Sequence, residues 1–205
     1  MVRFVCDGFV RLDEVLDADL CVALVAEAKA GNRVQWGEGS SDVYAVFSES
    51  TAMGRAIRNP AVQGAIASLV GPHPRFDHLA THLTPAGKRI GPNWHQDAQY
   101  DRRSCAFDIQ MSIFPQETTE SMGGTMFLLG SQFRRVHESA INCYHHFVGQ
   151  FATVCKAGTV ILWHHNLWHS ARSNRSEQDR YMLKLRLNPT VRQLRLWDTT
   201  DLQDA

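Results

Sequence analysis

From residue 75 onward the chain is a series of short segments rich in β-branched and aromatic residues, separated by glycine and proline. Many short strands with turn signals at this spacing are typical of an antiparallel sandwich or barrel. We expect strands at 76–84, 94–100, 105–114, 125–129, 149–155, 159–163, 180–188 and 191–197. The breaks between them include Pro85-Ala-Gly87, Gly91-Pro92, Gly123-Gly124, Gly130 and Gly158.

The residues before 75 predict helices as well. Asp17 or Asp19 is a suitable N-cap for a helix that runs to about residue 30 and ends at Gly31-Asn32. Its apolar stripe is Leu20, Leu24 and Ala28. A second helix begins at Asn59-Pro60 and ends at Gly71-Pro72. Within 4–12 a turn signal at Asp7-Gly8 is followed by alternation, which predicts a short strand, and another strand is expected at 42–47. The whole pattern predicts a mainly β fold with N-terminal helices, around a double-stranded β-helix core of the jelly-roll, cupin-like type.

Length and composition limit the number of domains and the classes of binding partner. A chain of 205 residues is long enough for one well-packed domain. We expect a single domain over 1–205, with a helix-rich N-terminal support (1–74) and a jelly-roll core (75–205). Lys+Arg and Asp+Glu balance at 21 each, so no overall charge favours nucleic acid or an anionic membrane.

The same composition predicts the compartment. No apolar run approaches the roughly 20 residues of a membrane span, and the first residues lack the apolar region of a signal peptide. The five cysteines are scattered without a CxxC pair, which favours reduced thiols in the cytoplasm. We therefore expect a cytoplasmic protein, without a nucleic-acid or membrane partner, that is a monomer or a weak homo-oligomer.

Two distant stretches carry residues suited to metal chemistry: Asn93–Asp97 and Trp163–His169. His95 and Asp97 are two positions apart, so on an extended strand both side chains leave the same face. A third ligand from elsewhere would complete a set of two histidines and one carboxylate. That set leaves metal coordination positions open and is typical of non-haem Fe(II) oxygenases.

The spacing leaves the second histidine open between His165 and His169. On a helix these two residues, four apart, would face the same way as a zinc pair. The preceding stretch 158–163 is β-branched and apolar, which favours a strand running into a turn. Spacing alone does not then separate the two histidines.

Taken together, the motifs resemble the phytanoyl-CoA dioxygenase family, a group of Fe(II)/2-oxoglutarate oxygenases that includes ectoine hydroxylase. The resemblance covers nearly the whole chain. It is carried by Asp7-Gly-Phe-Val, the predicted helix from Asn59-Pro60 to Gly71, Trp94-His-Gln-Asp97, Met111-Ser-Ile-Phe, Gly123-Gly-Thr-Met-Phe-Leu-Leu-Gly-Ser131, Ala157-Gly-Thr-Val-Ile-Leu-Trp, Leu167-Trp-His169, Asn174-Arg-Ser176 and Arg180.

The resemblance implies a ligand set and a co-substrate site. In the family a histidine is followed five positions later by Asn and eleven positions later by Arg, as His169 is by Asn174 and Arg180. The metal ligands are then His95, Asp97 and His169, and Arg180 binds the far carboxylate of 2-oxoglutarate. Arginine suits that role because its planar, permanently charged fork matches a carboxylate.

The reaction implied is hydroxylation of a small-molecule substrate by Fe(II), 2-oxoglutarate and O2, with release of succinate and CO2. Related halogenases lack the carboxylate of Asp97, so its presence favours hydroxylation, with desaturation or ring chemistry as further outcomes. Two more positions are predicted to contact 2-oxoglutarate: Ser112, which alternation places inside the fold beside Gln110, and His82 on the preceding strand. His164 and His165 are expected to support the site or face solvent.

The substrate itself is less determined. If Arg180 faces the interior, alternation sends Lys184 and Arg186 the same way, and buried cations need partners. Asp101, Asp108 or a carboxylate-bearing substrate would meet that need. The family's usual Pro-Gly-Ser-His is Leu129-Gly-Ser-Gln132 here, so a frequent histidine contact is missing.

Two alternatives have a different function. One is a non-catalytic jelly-roll domain that binds a ligand and has a degenerate metal site. The other is a zinc hydrolase using the same ligands, in which Arg180 would have no role. The four intact residues His95, Asp97, His169 and Arg180 favour the oxygenase.

Overall fold

The computed structural model describes residues 2–30, 35–36, 47–71, 74–91, 93–97, 108–134 and 136–188. Its helices are α1 (Val2–Asp7), α2 (Ala18–Lys29), α3 (Ala52–Ile57) and α4 (Pro60–Val70), with short 3-10 turns at Ser131–Phe133 and Glu138–Ala140. Its strands are β1 (Phe9–Leu12), β2 (Gln35–Trp36), β3 (Arg75–Thr84), β4 (Ile109–Phe114), β5 (Met126–Leu128), β6 (Gln150–Ala152), β7 (Thr159–His164), β8 (His169–Ser170) and β9 (Arg180–Asn188).

The two predicted helices are confirmed together with their capping residues. The Asp17 carboxylate accepts a hydrogen bond from the Leu20 N–H at 2.8 Å, and the Asn59 side chain caps α4, which has proline in its first turn. The helix α3 was not predicted. Its N-terminal N–H groups at Ala52 and Met53 donate to the Glu27 carboxylate of α2, which ties the two helices together.

The short strand predicted after the Asp7-Gly8 turn is confirmed as Phe9–Leu12, whereas the helix before that turn was not predicted. Residues 2–7 form α1, which buries Phe4 against the core, and only Phe9–Leu12 is a strand. Gly8 separates the two with φ +88°, and its N–H bonds to the Phe4 carbonyl. Burial of Phe4 and the left-handed turn at Gly8 outweigh the β propensity of the valines.

The strands form two antiparallel sheets. The larger sheet has the order β1-β7-β4-β9-β3-β2 and the smaller sheet has the order β6-β5-β8. The predicted strands that correspond to β3, β4, β5, β6, β7 and β9 are confirmed within a few residues, whereas β2 and β8 were not predicted. The expected strand 94–100 is reduced to a bridge at His95 within the described residues. The strands expected at 42–47 and 191–197, except Phe47, and the ends 98–100 and 105–107 lie outside them.

The larger sheet separates two environments. One face packs on the helices, where Leu24, Val62 and Ile66 meet Met111, Leu162, Leu185 and other strand residues in one buried cluster. The opposite face contributes Phe114, Ile161, Trp163 and Met182 to a second cluster, which Phe127 of the smaller sheet and Leu167 complete. The second cluster therefore fills the space between two facing sheets, as expected for a jelly roll.

Alternation along each strand explains this separation. On β9, Tyr181, Leu183 and Leu185 lie on the helix side and Met182 on the other, as the sequence predicted. Within the described parts of the chain, no helix is both long and apolar enough to cross a membrane.

Candidate active site

Two histidines meet where the smaller sheet extends beyond β8. The backbones of His95 and His169 exchange a pair of hydrogen bonds, each 3.0 Å long. This bridge brings residues far apart in the sequence side by side, with ring centroids 4.2 Å apart. The two imidazoles are therefore positioned by the backbone itself.

Each of these imidazoles is oriented in the same way. Nδ1 of His95 lies 2.8 Å from the Asn93 carbonyl, and Nδ1 of His169 lies 3.0 Å from the Leu167 carbonyl. A carbonyl only accepts, so Nδ1 carries a proton, and in the neutral form of each ring the lone pair lies on Nε2. Both Nε2 atoms face Asp97 Oδ1, at 3.7 and 3.8 Å. The ligand atoms of the three residues lie within 4.8 Å of one another.

The second oxygen of Asp97 has other partners. Oδ2 accepts a hydrogen bond from Lys184 Nζ at 2.6 Å and another from Gln110 Nε2 at 3.1 Å. Lys184 lies on β9 and Gln110 on β4, so the larger sheet holds one oxygen of the carboxylate. The other oxygen is left toward the imidazoles.

The charges at this site follow from burial and from Lys184. Burial alone would raise the pKa of Asp97, but the charges of His169 and Lys184 and the Lys184 hydrogen bond hold that pKa well below its usual range. Burial lowers the pKa of His169 to about 3. His169 carries a charge only in acid, where Asp97 itself titrates. At neutral pH His169 is neutral, and Lys184 is the cation that stabilises the Asp97 carboxylate.

His165 takes a different position from His169. It is buried, and its Nδ1 lies 2.9 Å from Gln110 Nε2, which also contacts Asp97. Burial lowers the pKa of His165, so that it accepts from Gln110 as a neutral ring. Of the two histidines, His169 joins the cluster of three and His165 contacts Gln110, and the choice of His169 as a metal ligand stays a prediction.

Arg180 is a buried cation with an incomplete set of partners. It is 3% exposed, and its Nη2 donates to Thr84 Oγ1 at 2.8 Å. Its Nε and Nη1 are buried without a hydrogen-bond partner among the described residues. Burial lowers the pKa of Arg180, but a guanidinium stays protonated in proteins. The neighbouring Cys155 thiol is no counter-ion, because burial raises its pKa.

Asn174, the family asparagine, is a structural link. Its Nδ2 donates to the carbonyls of Thr84 and Gln178, and its Oδ1 accepts from the N–H and hydroxyl of Ser176. The residue is 1% exposed. It therefore fastens the loop between β8 and β9 to the end of β3, beside the hydroxyl that holds Arg180.

The two further positions predicted to contact the co-substrate differ in burial. Ser112 is buried on the inner face as expected, and its hydroxyl accepts from Trp163 Nε1 at 3.1 Å. His82 is exposed and pairs in register with Met182, on the face of β3 that looks toward the site. Their contact with 2-oxoglutarate stays a prediction.

Sequence reasoning missed the partner of Lys184. Asp101, which lies outside the described residues, and Asp108 were considered, but the carboxylate that Lys184 meets is Asp97. The signal available was alternation, which placed Lys184 and Gln110 on inner faces. The need for an anionic partner at Lys184 is thus met within the chain.

Gln132, at the position of the missing family histidine, also has a structural role. Its Nε2 donates to the Val5 carbonyl at 2.9 Å, and the side chain is buried. A Cβ at Gly8 would lie 2.6 Å from Gln132 Oε1, so the two positions fit closely. Gln132 therefore fixes α1 to the jelly roll.

Solved structures of low sequence identity share this fold. EctD from S. alaskensis, in its apoform, is 21% identical with a TM-score of 0.71, over 95% of this chain and 77% of that one. The epimerase SnoN, in complex with Fe3+, alpha ketoglutarate and nogalamycin RO, is 19% identical with a TM-score of 0.70, over 92% and 81%. EvdO2 from Micromonospora carbonacea var. aurantiaca, complexed with 2-oxoglutarate, is 16% identical with a TM-score of 0.69, over 95% and 91%.

Sequence comparison gives the family. A search of curated protein sequences found no match. The family described as Phytanoyl-CoA dioxygenase (PhyH), in contrast, matches residues 4–182. That span includes His95, Asp97, His169 and Arg180, and Lys184 lies two residues beyond its end. The chain belongs to the phytanoyl-CoA dioxygenase family.

Proposed function

We propose that this chain is a non-haem Fe(II)/2-oxoglutarate-dependent dioxygenase that hydroxylates a small molecule and releases succinate and CO2. The enzyme class follows from family membership. The observation that carries the proposal is the buried Arg180 guanidinium with two N–H groups unpartnered among the described residues, on the strand that also reaches Asp97. A site that bound only a metal would not need a buried guanidinium beside it.

The donor set fits Fe(II). Two imidazole nitrogens with free lone pairs and one carboxylate oxygen converge, and their orientation is fixed by hydrogen bonds to the opposite ring nitrogens and to Asp97 Oδ2. Two histidines and one carboxylate suit Fe(II) and leave positions for a co-substrate. We propose His95, Asp97 and His169 as the ligands.

The anchor fits a carboxylate. Arg180 and Lys184 lie on the same face of β9, four residues apart, which along a strand corresponds to roughly 13 Å. We propose that the far carboxylate of a dicarboxylate such as 2-oxoglutarate binds Arg180, where Nε and Nη1 supply donors and Thr84 fixes the third nitrogen. Ser112 and His82 are proposed as further contacts.

The remaining chemistry is divided between metal and protein. Bound Fe(II) supplies the activation of O2 that is coupled to decarboxylation of 2-oxoglutarate. The chain orients the reactants and excludes water. Trp163 packs edge-on against the His169 ring with centroids 4.5 Å apart, and Phe127 lies 6.4 Å from it. These rings shield one side of the site.

The neighbours support the co-substrate but not one substrate. SnoN was solved with Fe3+ and alpha ketoglutarate, and EvdO2 with 2-oxoglutarate. Nogalamycin RO is a ligand of SnoN, and nothing common to these three structures identifies a substrate for this chain. We propose a small-molecule substrate, and a carboxylate-bearing one is kept as a class to be tested with free acids beside their amides.

The test is succinate release from 2-oxoglutarate in the presence of Fe(II) and O2, screened over a panel of small metabolites. We expect substrate-stimulated succinate formation together with a substrate product heavier by one oxygen. His169→Ala is the inactive control. Failure of the wild type to bind Fe(II) and 2-oxoglutarate would favour the non-catalytic ligand-binding domain instead.

A further inference from the structure

We infer that Lys184 is a positioning residue that holds Asp97 Oδ2 away from the metal, so that Asp97 occupies one coordination position rather than two. The inference rests on the proposed function of this site. It assigns to Lys184 the protection of the position that O2 needs.

The contacts of Asp97 are divided between its two oxygens. Oδ2 is held by Lys184 at 2.6 Å and by Gln110 at 3.1 Å, whereas Oδ1 faces the Nε2 atoms of both histidines. A short hydrogen bond from an ammonium group to a carboxylate is charge-assisted and stronger than a neutral one. Releasing Oδ2 toward a metal would break both contacts.

The count of coordination positions gives this arrangement a function. Carboxylates bind metals through one oxygen or through two. Two imidazoles and one carboxylate oxygen leave three of the six positions of an octahedral metal, two for the keto acid of 2-oxoglutarate and one for O2. A carboxylate bound through both oxygens would take the last position. Lys184 therefore affects the reaction with O2 more than the binding of 2-oxoglutarate.

The location of Lys184 makes it suitable for this task. It lies on β9, in the interior of the larger sheet, opposite Ser112 of β4 and Ala80 of β3. Its side chain is buried, and its ammonium lies 5.1 Å from the centroid of the Trp163 ring. A lysine stem confined on both sides by paired strands loses little further freedom when its ammonium holds the carboxylate.

Charge argues for the same role. Gln110 is uncharged, so Lys184 is the cation in hydrogen-bond contact with Asp97 among the described residues. A buried ion pair is weak evidence for a purely stabilising role, because desolvation offsets much of its attraction. The Lys184–Asp97 pair differs from an ordinary buried ion pair because Lys184 binds the oxygen of Asp97 that faces away from the histidines.

The experiment compares Lys184→Met with the wild type under anaerobic conditions. Nitric oxide, which occupies the position that O2 takes, is titrated into the Fe(II)/2-oxoglutarate complex and followed by electron paramagnetic resonance. We expect Lys184→Met to bind 2-oxoglutarate like the wild type but to bind nitric oxide at least about tenfold more weakly, as is common when a partner of a metal ligand is removed. In turnover, kcat should fall while the KM for 2-oxoglutarate stays within about twofold.

Two further variants keep the test decisive. Lys184→Gln keeps a donor for Oδ2 without the charge, and it should recover part of the nitric oxide binding even if Lys184→Met folds poorly. Lys156→Met removes the surface lysine that pairs with Glu117 and should behave as the wild type. Unchanged nitric oxide binding in a folded Lys184→Met or Lys184→Gln protein would overturn the inference. A wild type that binds neither iron nor 2-oxoglutarate would overturn the proposed function itself.

Discussion

Asp97 turns its two carboxylate oxygens toward different partners, and the neighbouring residues follow from that division. The imidazoles of His95 and His169 face Oδ1, and Lys184 and Gln110 hold Oδ2. His165 stands one hydrogen bond further out, on Gln110. Substitutions at different distances from Asp97 should therefore have different effects on the binding of the metal and of the co-substrate.

The two downstream histidines allow a matched comparison. His169→Ala should abolish tight Fe(II) binding, because it removes one of the three proposed ligands. His165→Ala should weaken binding by about tenfold, since it only removes support for Gln110. Calorimetric titration of the anaerobic apoprotein with Fe(II) measures both. Tight binding retained in His169→Ala and lost in His165→Ala would reverse the assignment.

Arg180 should affect the co-substrate rather than the metal. Arg180→Lys keeps a charge but loses the planar fork, so the KM for 2-oxoglutarate should rise by at least about tenfold, or about 1.4 kcal/mol. Fe(II) affinity should remain within a few-fold of the wild type. Steady-state kinetics with varied 2-oxoglutarate measure the first effect, and an unchanged KM would exclude Arg180 as the anchor.

At the residue scale, the sequence predicted the three proposed metal ligands but not the residue that holds Asp97 in place. Spacing and family motif named His95, Asp97 and His169, which the fold brings together. The pairing of Lys184 with Asp97 was missed because it depends on the register of β9 against β4 and on the path of the 93–97 segment. Alternation gives the face of a strand, and it contains no information on register.

At the scale of elements, the site lies on short strands and loops that are hydrogen-bonded to longer strands. β8 has two residues, yet it contains His169, and its neighbour across the bridge is His95. The loop from β8 to β9 is tied to β3 through Asn174. Positions on short strands and loops are therefore secured by side-chain hydrogen bonds rather than by long ladders.

Asn174→Ala should show the strength of this fastening. The variant leaves the Thr84 and Gln178 carbonyls and the Ser176 N–H without their partner, which should cost about 1–3 kcal/mol of unfolding free energy. Urea denaturation measures the loss, and the KM for 2-oxoglutarate should rise because Thr84 also holds Arg180. Ser176→Ala is the control and should cost less. An Asn174→Ala protein with wild-type stability would show that the loop is held by other contacts.

Strong periodicity made the long elements predictable, and tertiary contacts decided the short ones. The helices α2 and α4 and the strand β9 follow from their caps and alternation. The segment 2–7 is helical although valine and phenylalanine favour strands, because its conformation is determined by the burial of Phe4. A strand of two residues such as β8 has too little sequence to show a period.

At the scale of the molecule, we propose that residues 1–205 fold as a single domain. The helices and the larger sheet share one buried cluster, and β1 from the N-terminal part pairs with β7. A fragment of residues 75–205 would expose that apolar face and lose the two edge strands β1 and β2 of the larger sheet. We expect it to lack a cooperative urea transition and near-ultraviolet circular dichroism. A sigmoidal transition in the fragment would show that the jelly roll folds alone.

Acid should destabilise the metal-free protein through its buried histidines. Burial lowers the pKa of His165 and brings that of His169 to about 3, whereas in the unfolded chain both protonate near pH 6.5. Below about pH 6.5 the unfolded state therefore binds more protons, and stability falls by up to about 1.4 kcal/mol per pH unit for each histidine. The lowered pKa of Asp97 acts only at lower pH, because both states are ionised above about pH 5.

This pH dependence is measured as the unfolding free energy in urea at pH 7 and pH 5.5, with a chelator present. His165→Gln should show a smaller fall than the wild type, since one of the two groups is gone. Equal falls in both proteins would mean that His165 is not held neutral in the folded state.

The backbone bridge between His95 and His169 also has a consequence for biosynthesis. The first two ligands, His95 and Asp97, emerge from the ribosome long before the third, and the strand that supplies Lys184 follows later still. With His95, Asp97 and His169 as the proposed ligands, a growing chain cannot complete the metal site until His169 has been translated and has paired with His95, and Lys184 reaches Asp97 only afterwards. We therefore expect iron to load after these segments have been made, which keeps a partly made chain from retaining a redox-active metal.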